Sequence, residues 1–236
     1  PYENAVGSLG ILLIFGARKI QTYYEPRLGD YDAALARYGG STNRDQSRYL
    51  NSYVAGICTA LEGKKAKFND YVYYAIEDVQ AKFVPTNSGR YERDSVLTKY
   101  DRSLRDLCRE TFLNGGEFGM ADADDILSGI DGRIIVPEID YIRADVAEKL
   151  KTRDVTFIGA RPEILGTGEK VTFGEVKTLS EAVSDLCRGK CDLELPSGVI
   201  RQTYDGAVAV YNNNKSSATI RALRNAYLYD PDCGNG

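Results

Sequence analysis

The chain has 236 residues, 43% hydrophobic and 27% charged, with a net charge of −4. That is material for one large domain or two small ones, in the range of soluble globular proteins rather than disordered ones. The acidic balance leaves no basic footprint for nucleic acid.

The first apolar run, Leu9 to Ala17, is far shorter than the roughly 20 residues that span a bilayer. No basic region precedes it, so it does not read as an intact signal peptide, and a start at Pro1 suggests that a leader has been removed. Histidine and tryptophan are absent. Without histidine the Ser-His and Cys-His nucleophile pairs and the usual zinc sites fall away, which lowers the expectation of hydrolytic or transfer chemistry. Tyrosine, at 17 residues, suits buried interfaces that are apolar on one side and hydrogen-bonded on the other.

In chain order, Gln46 to Leu61 carries Leu50, Tyr53, Val54, Ile57 and Leu61 at helical spacing. Asn69 is placed to cap a helix with Val72, Ile76, Val79 and Phe83 on one stripe, ending before Pro85. Asp94 or Ser95 opens the next helix, whose face is Val96, Leu97, Tyr100, Leu104 and Leu107, and Asn114-Gly-Gly closes it. Ala121 to Ile130 reads as a short helix with acids in its first turn, where they favour the dipole. "RIIVPEI" and "DVTFIGA" have strand composition, consistent with a small sheet or extended connector. Ile139 to Leu150 returns to helical spacing, and Ser180 caps a last short helix to Arg188. The expectation is a mainly α chain of two pseudo-repeated helical lobes, residues 1–116 and 171–236, with long loops and a few short strands in a connecting segment, 117–170.

The two lobes rest on internal similarity. Asp106-Leu107-Cys108-Arg109 recurs as Asp185-Leu186-Cys187-Arg188, and Tyr31–Gly40 aligns without gaps with Tyr204–Asn213. Duplication is the simplest account. Matching residues in a duplicated chain can equally well pack equivalent cores.

Five cysteines leave several readings open. A buried free thiol is a small hydrophobe. A disulfide set would leave one thiol over, and a chain this long does not need staples. Cys187 and Cys191 form a lone CxxxC, a weak zinc signal, and no CxxC supports a redox site. The remaining reading is thioether attachment of a prosthetic group, with Arg109 and Arg188 beside their cysteines to support a thiolate and pair with acidic groups.

The opening "PYENAVGSLGILLIFGARKIQTYYEPRLGDYDAALARYGG", the tyrosine richness and the scattered single cysteines resemble a phycoerythrin gamma subunit, a pigment-bearing rod linker of red-algal phycobilisomes. The resemblance implies a chain in the central cavity of a hexamer of phycoerythrin alpha and beta subunits, on the stromal face of the chloroplast thylakoid. It implies light absorption and excitation transfer along the rod, without chemical turnover. It implies covalent bilins, phycourobilin and phycoerythrobilin, on Cys58, Cys108, Cys187 and Cys233, with Cys191 an uncertain fifth. Asp106 and Asp185 would then face the pyrrole nitrogens, and Arg109 and Arg188 the propionates. An unpigmented scaffold, or a histidine-free ligand-binding protein or enzyme, is the alternative.

Other signals are weak. "GTGEK" at Gly166 lacks the phosphate-loop spacing. Asp122, Asp124 and Asp125 lack the EF-hand pattern and read as an acidic helix start.

Overall fold

The computed structural model describes residues 11–15, 43–82, 98–188, 193–212 and 221–222. Its centre is a five-stranded parallel sheet: β1 (Asp70–Tyr73), β2 (Gly119–Ala121), β3 (Arg133–Val136), β5 (Val155–Ile158) and β7 (Glu175–Lys177). Their order across the sheet is β2-β1-β3-β5-β7, every neighbour parallel. Between them lie α2 (Ile76–Lys82), α3 (Thr98–Leu113), α4 (Ala123–Ser128), β4 (Tyr141–Ile142), α5 (Ala144–Leu150), β6 (Glu163–Ile164) and α6 (Leu179–Cys187), with α1 (Asn43–Ala60) ahead of the sheet. After it come β8 (Leu193–Glu194), the antiparallel hairpin of β9 (Val199–Tyr204) and β10 (Ala207–Asn212), and β11 (Arg221–Ala222).

The strands form where β-branched residues run together and both faces can be covered. In "RIIV", Ile134 and Val136 point to a layer containing Ile126 of α4, Val146 and Leu150 of α5, and Phe157 of β5. Ile135 points the other way, to Leu107 of α3 and Leu186 of α6. The period of two thus divides one short strand between two cores. Each fully buried Ile or Leu contributes about 1.5–3 kcal/mol relative to exposure.

The helices are cut to length by local chemistry. Asp122 caps α4 through the Asp125 backbone N–H, and Asp125 returns the bond to the Asp122 N–H, a capping box. Gly129 ends α4 at φ 92°, a left-handed conformation that glycine adopts without a Cβ penalty. Thr178, rather than Ser180, caps α6 in a second box with Glu181.

The expected mainly helical, two-lobed chain is overturned: the fold is α/β. Residues 70–73 were expected to continue as a helix because Val72, Ile76 and Val79 share a stripe. They form β1 instead, since "DYVY" is a β-branched and aromatic run whose alternate side chains each find a core, Val72 on one face and Tyr73 on the other. The sheet takes strands from 1–116, 117–170 and 171–236 alike. Of the aligned repeat, Tyr31–Gly40 lies outside the described residues, while Tyr204–Asn212 forms the turn and second strand of the hairpin. The two Asp-Leu-Cys-Arg stretches lie on α3 and α6, which cover the same face of the sheet, with Leu107 and Leu186 buried in one cluster. The helix expected over 46–61 is present as α1. Of the helix expected from Asp94 or Ser95 to Asn114, residues 94–97 lie outside the described residues and the rest is α3; the strands expected in "RIIVPEI" and "DVTFIGA" are β3 and β5.

Candidate functional site

In an open parallel sheet the chain leaves every strand at the same edge, so the loops beyond the carboxyl ends are the place where side chains converge. The order β2-β1-β3-β5-β7 reverses direction between β1 and β3. Here the reversal is filled with charge. Asp78, in the first turn of α2, is fully buried, and its Oδ1 accepts the backbone N–H groups of Asp140 and Tyr141, each at 2.9 Å. Lys82, one turn on, donates to Asp78 at 2.8 Å and contacts Asp140 at 2.6 Å. Lys99 of α3 reaches Asp140 at 2.8 Å and Glu138 at 3.3 Å, and Ser103 Oγ accepts the Glu138 N–H at 2.9 Å. The segment after β3 is therefore clamped from α2 and from α3.

The electrostatics follow from those contacts. Hydrogen bonds from Lys82 and then Lys99 hold the Asp140 carboxyl below its ordinary range. Burial works against the charge on Lys82, but its bonds to Asp140 and Asp78 outweigh that and raise it. Beside this chain of ion pairs, the Tyr73 hydroxyl donates to Glu77, and the Ala75 N–H donates to the Tyr100 hydroxyl at 3.0 Å. Burial raises both phenols, Tyr73 helped by Glu77.

Alongside the clamp, a cleft of about 390 Å³ opens between α3 and the ends of β3 and β5. Lys99, Arg102, Ser103 and Asp106 of α3 form one wall, and Glu138, Ile158 and Leu179 the other. Arg102 and Asp106, one helical turn apart, make no ion pair among the described residues, unlike the clamp residues beside them.

The sequence-expected residues are scattered by comparison. Cys58 lies on α1, half-buried; Cys191 and Cys233 lie outside the described residues. Cys108 and Cys187 are half-buried on the neighbouring helices α3 and α6. Cys108 packs against the Leu107–Ile135 cluster, and burial pushes its thiol up to about 11. Cys187 Sγ lies 3.7 Å from the Thr111 carbonyl, and burial raises that thiol too. A thiol held protonated is a poor nucleophile. Asp185 is bound by Lys177 at 2.7 Å and Arg133 at 3.4 Å, which join α6 to β7 and β3. Arg188 pairs with Asp185 and Arg109 with the adjacent Glu110, both largely exposed. Of the seven that lie among the described residues, Asp106 alone lines the cleft.

Sequence reasoning missed Asp78, Lys82, Lys99, Arg102, Glu138 and Asp140. Their signal was available: "IED" after "DYVYYA" and "PEID" after "RIIV" are acids directly following strand-like runs, where a parallel sheet gathers its polar groups. Among the described residues no cluster of acids or cysteines is arranged to hold a metal ion, and no helix is long and apolar enough to cross a membrane.

Fold and edge together define an α/β protein with an open parallel sheet. Among solved structures it is similar to the apo GH42 exo-carrageenase from Bacteroides ovatus, at 16% identity and a TM-score of 0.59, over 95% of this chain and 34% of that one. A cold-adapted beta-galactosidase from Rahnella sp. R3 is matched at 18% identity and a TM-score of 0.36, over 49% of this chain and 17% of that one. The chain thus spans about a third of the length of the exo-carrageenase. No family model and no curated protein matches. The resemblance to a phycoerythrin gamma subunit is overturned: the fold is similar to that of the exo-carrageenase, with a parallel α/β sheet that a helical linker would not have.

Proposed function

We propose that this chain is a non-catalytic α/β unit of a carbohydrate-active protein, a scaffold whose sheet edge supports neighbouring structure and does not turn over substrate. The likeness in fold to one third of an exo-carrageenase supports the carbohydrate context. The observation that carries the non-catalytic part is the condition of the acids at the carboxyl edge. Hydrolysis of a glycosidic bond takes two carboxyl groups, one of them protonated near neutral pH to act as the acid. Here Asp140 is held ionised by two lysines, Glu138 is paired with Lys99, and Asp78 is committed to backbone N–H groups and Lys82. That leaves Asp106 as a single unpaired carboxylate, among the described residues of the cleft, where two are needed. Glu77, which accepts the Tyr73 hydroxyl, is 6% exposed and lies outside the cleft lining. Nothing in the fold supports a bilin-carrying role.

The purified chain, incubated with chromogenic galactosides and carrageenan oligosaccharides, is expected to release product at the blank rate. Turnover that co-purifies with the chain and falls about 100-fold or more in Glu138→Gln or Asp106→Asn, the size of effect typical of a lost general acid or base, would overturn the proposal.

A further inference from the structure

In the cleft beside the clamp, two charged groups remain without an ion pair among the described residues. Lys99 and Glu138 are already paired with each other. Arg102 and Asp106 are not ion-paired among the described residues, and they project one turn apart from the same face of α3 into the cleft. A guanidinium that only donates and a carboxylate that only accepts, set side by side, match neighbouring hydroxyl groups, each of which does both.

We propose that this cleft binds a neutral, monosaccharide-sized sugar, with adjacent hydroxyls bracketed by Arg102 and Asp106 and the C–H face laid on Ile158 and Leu179. The choice of a sugar rests on the carbohydrate context argued above; the cleft itself sets the limits. Its two cations are balanced by two carboxylates, so a phosphate or a polyanion meets no net attraction. Among the described residues that line it there is no aromatic ring to stack a base or a flavin. Its volume of about 390 Å³ falls at the small end of ligand pockets. Ser103 is committed to the Glu138 N–H, which fixes the wall opposite Ile158.

The test is a titration of the isotopically labelled full chain with D-galactose, followed by amide chemical shifts. Saturable shifts at Ser103, Glu138 and Ile158 are expected, with a dissociation constant on the order of 1 mM for so few contacts. Asp106→Ala and Arg102→Ala are each expected to weaken binding about tenfold, the effect of one lost hydrogen bond to a charged group. Arg105→Ala, which removes an exposed cation paired with Asp101 outside the cleft, leaves it unchanged. Both cleft substitutions are at exposed or half-exposed positions, and unchanged thermal unfolding confirms that they fold. No saturation up to about 100 mM galactose, far above the expected constant, overturns the inference, as does binding that survives both substitutions. Neither result touches the non-catalytic reading, which fails only on turnover.

Discussion

Asp78 on α2 accepts the backbone N–H of Tyr141, 63 residues further along the chain, at 2.9 Å. With the matching bond to the Asp140 N–H, one buried carboxylate fixes the whole turn that follows β3, at the point where the strand order reverses. An ordinary side-chain replacement there leaves two backbone donors without their acceptor and Lys82 with Asp140 alone among the described residues. Asp78→Ala is therefore expected to destabilise the fold by about 3 kcal/mol or more. Asp78→Asn, which retains an oxygen for the amides and loses the charge facing Lys82, costs less. Urea unfolding of the three proteins measures both values. Equal stability of Asp78→Ala and the parent would mean that the clamp does not hold the edge.

The same ion pairs set the pH range of stability. The folded-state carboxyl of Asp140 is lowered from 3.8, and that of Asp185 is lowered likewise by Lys177 and the cations beside it. A lowered carboxyl contributes stability above its unfolded value and loses it as pH falls through the folded one. Lys82 and Lys99 are raised from 10.5, so their contribution is complete below that value and is lost as pH rises through the folded one. Thermal unfolding temperature is expected to be level between about pH 5 and 10 and to fall on either side. A maximum confined to mildly acidic pH contradicts this assignment.

Burial decides what the cysteines do. Cys108, with its thiol at about 11, and Cys187, raised as well, are expected to resist thiol reagents at pH 7.5 until the chain unfolds. The unfolded chain, in acidic urea, is expected to be colourless. Rapid labelling of the folded chain at Cys108, or visible absorption that maps to a peptide carrying Cys58, Cys108 or Cys187, runs against packing as their role.

Gly116 marks the seam between α3 and α6. A Cβ there would stand 2.6 Å from Thr111 Cγ2, 2.9 Å from Cys187 Sγ and 3.2 Å from the Leu186 carbonyl. The first two contacts are closer than atoms pack, and Thr111 is fully buried. Gly116→Ala is expected to cost about 1–3 kcal/mol, as overpacking usually does, and the double change with Cys187→Ala should recover part of it. A neutral Gly116→Ala would show that the seam is looser than described.

How much of this was legible in the sequence depends on which interaction decides each element. Helices α1 and α3 have long amphipathic stripes, and their periodicity is sufficient. The hydrophobic run of "RIIV" and "DVTFI" likewise marks β3 and β5, because a strand covered on both faces needs no alternation. What pattern could not supply is the sheet itself. Strand β1 is four residues long and β2 three, "GMA", and each is held by parallel neighbours distant in sequence. Similar limits apply to the site. Asp106, Asp185, Arg109 and Arg188 drew attention because they flank cysteines, whereas Asp78, Lys99 and Asp140 converge only through the topology. The repeated Asp-Leu-Cys-Arg was real as a pattern, and its meaning is packing: two helices lay equivalent leucines on one sheet face.

The central claim is that the carboxyl edge of the sheet is fixed in place by the Asp78 clamp. Amide hydrogen exchange at Asp140 and Tyr141 tests it most directly. Their N–H groups are bonded to a buried carboxylate rather than to a neighbouring strand, so they should exchange as slowly as the core amides of β3 and speed up towards the rate of open loops in Asp78→Ala. Fast exchange at both positions in the parent protein would contradict the clamp and return the edge to a mobile loop.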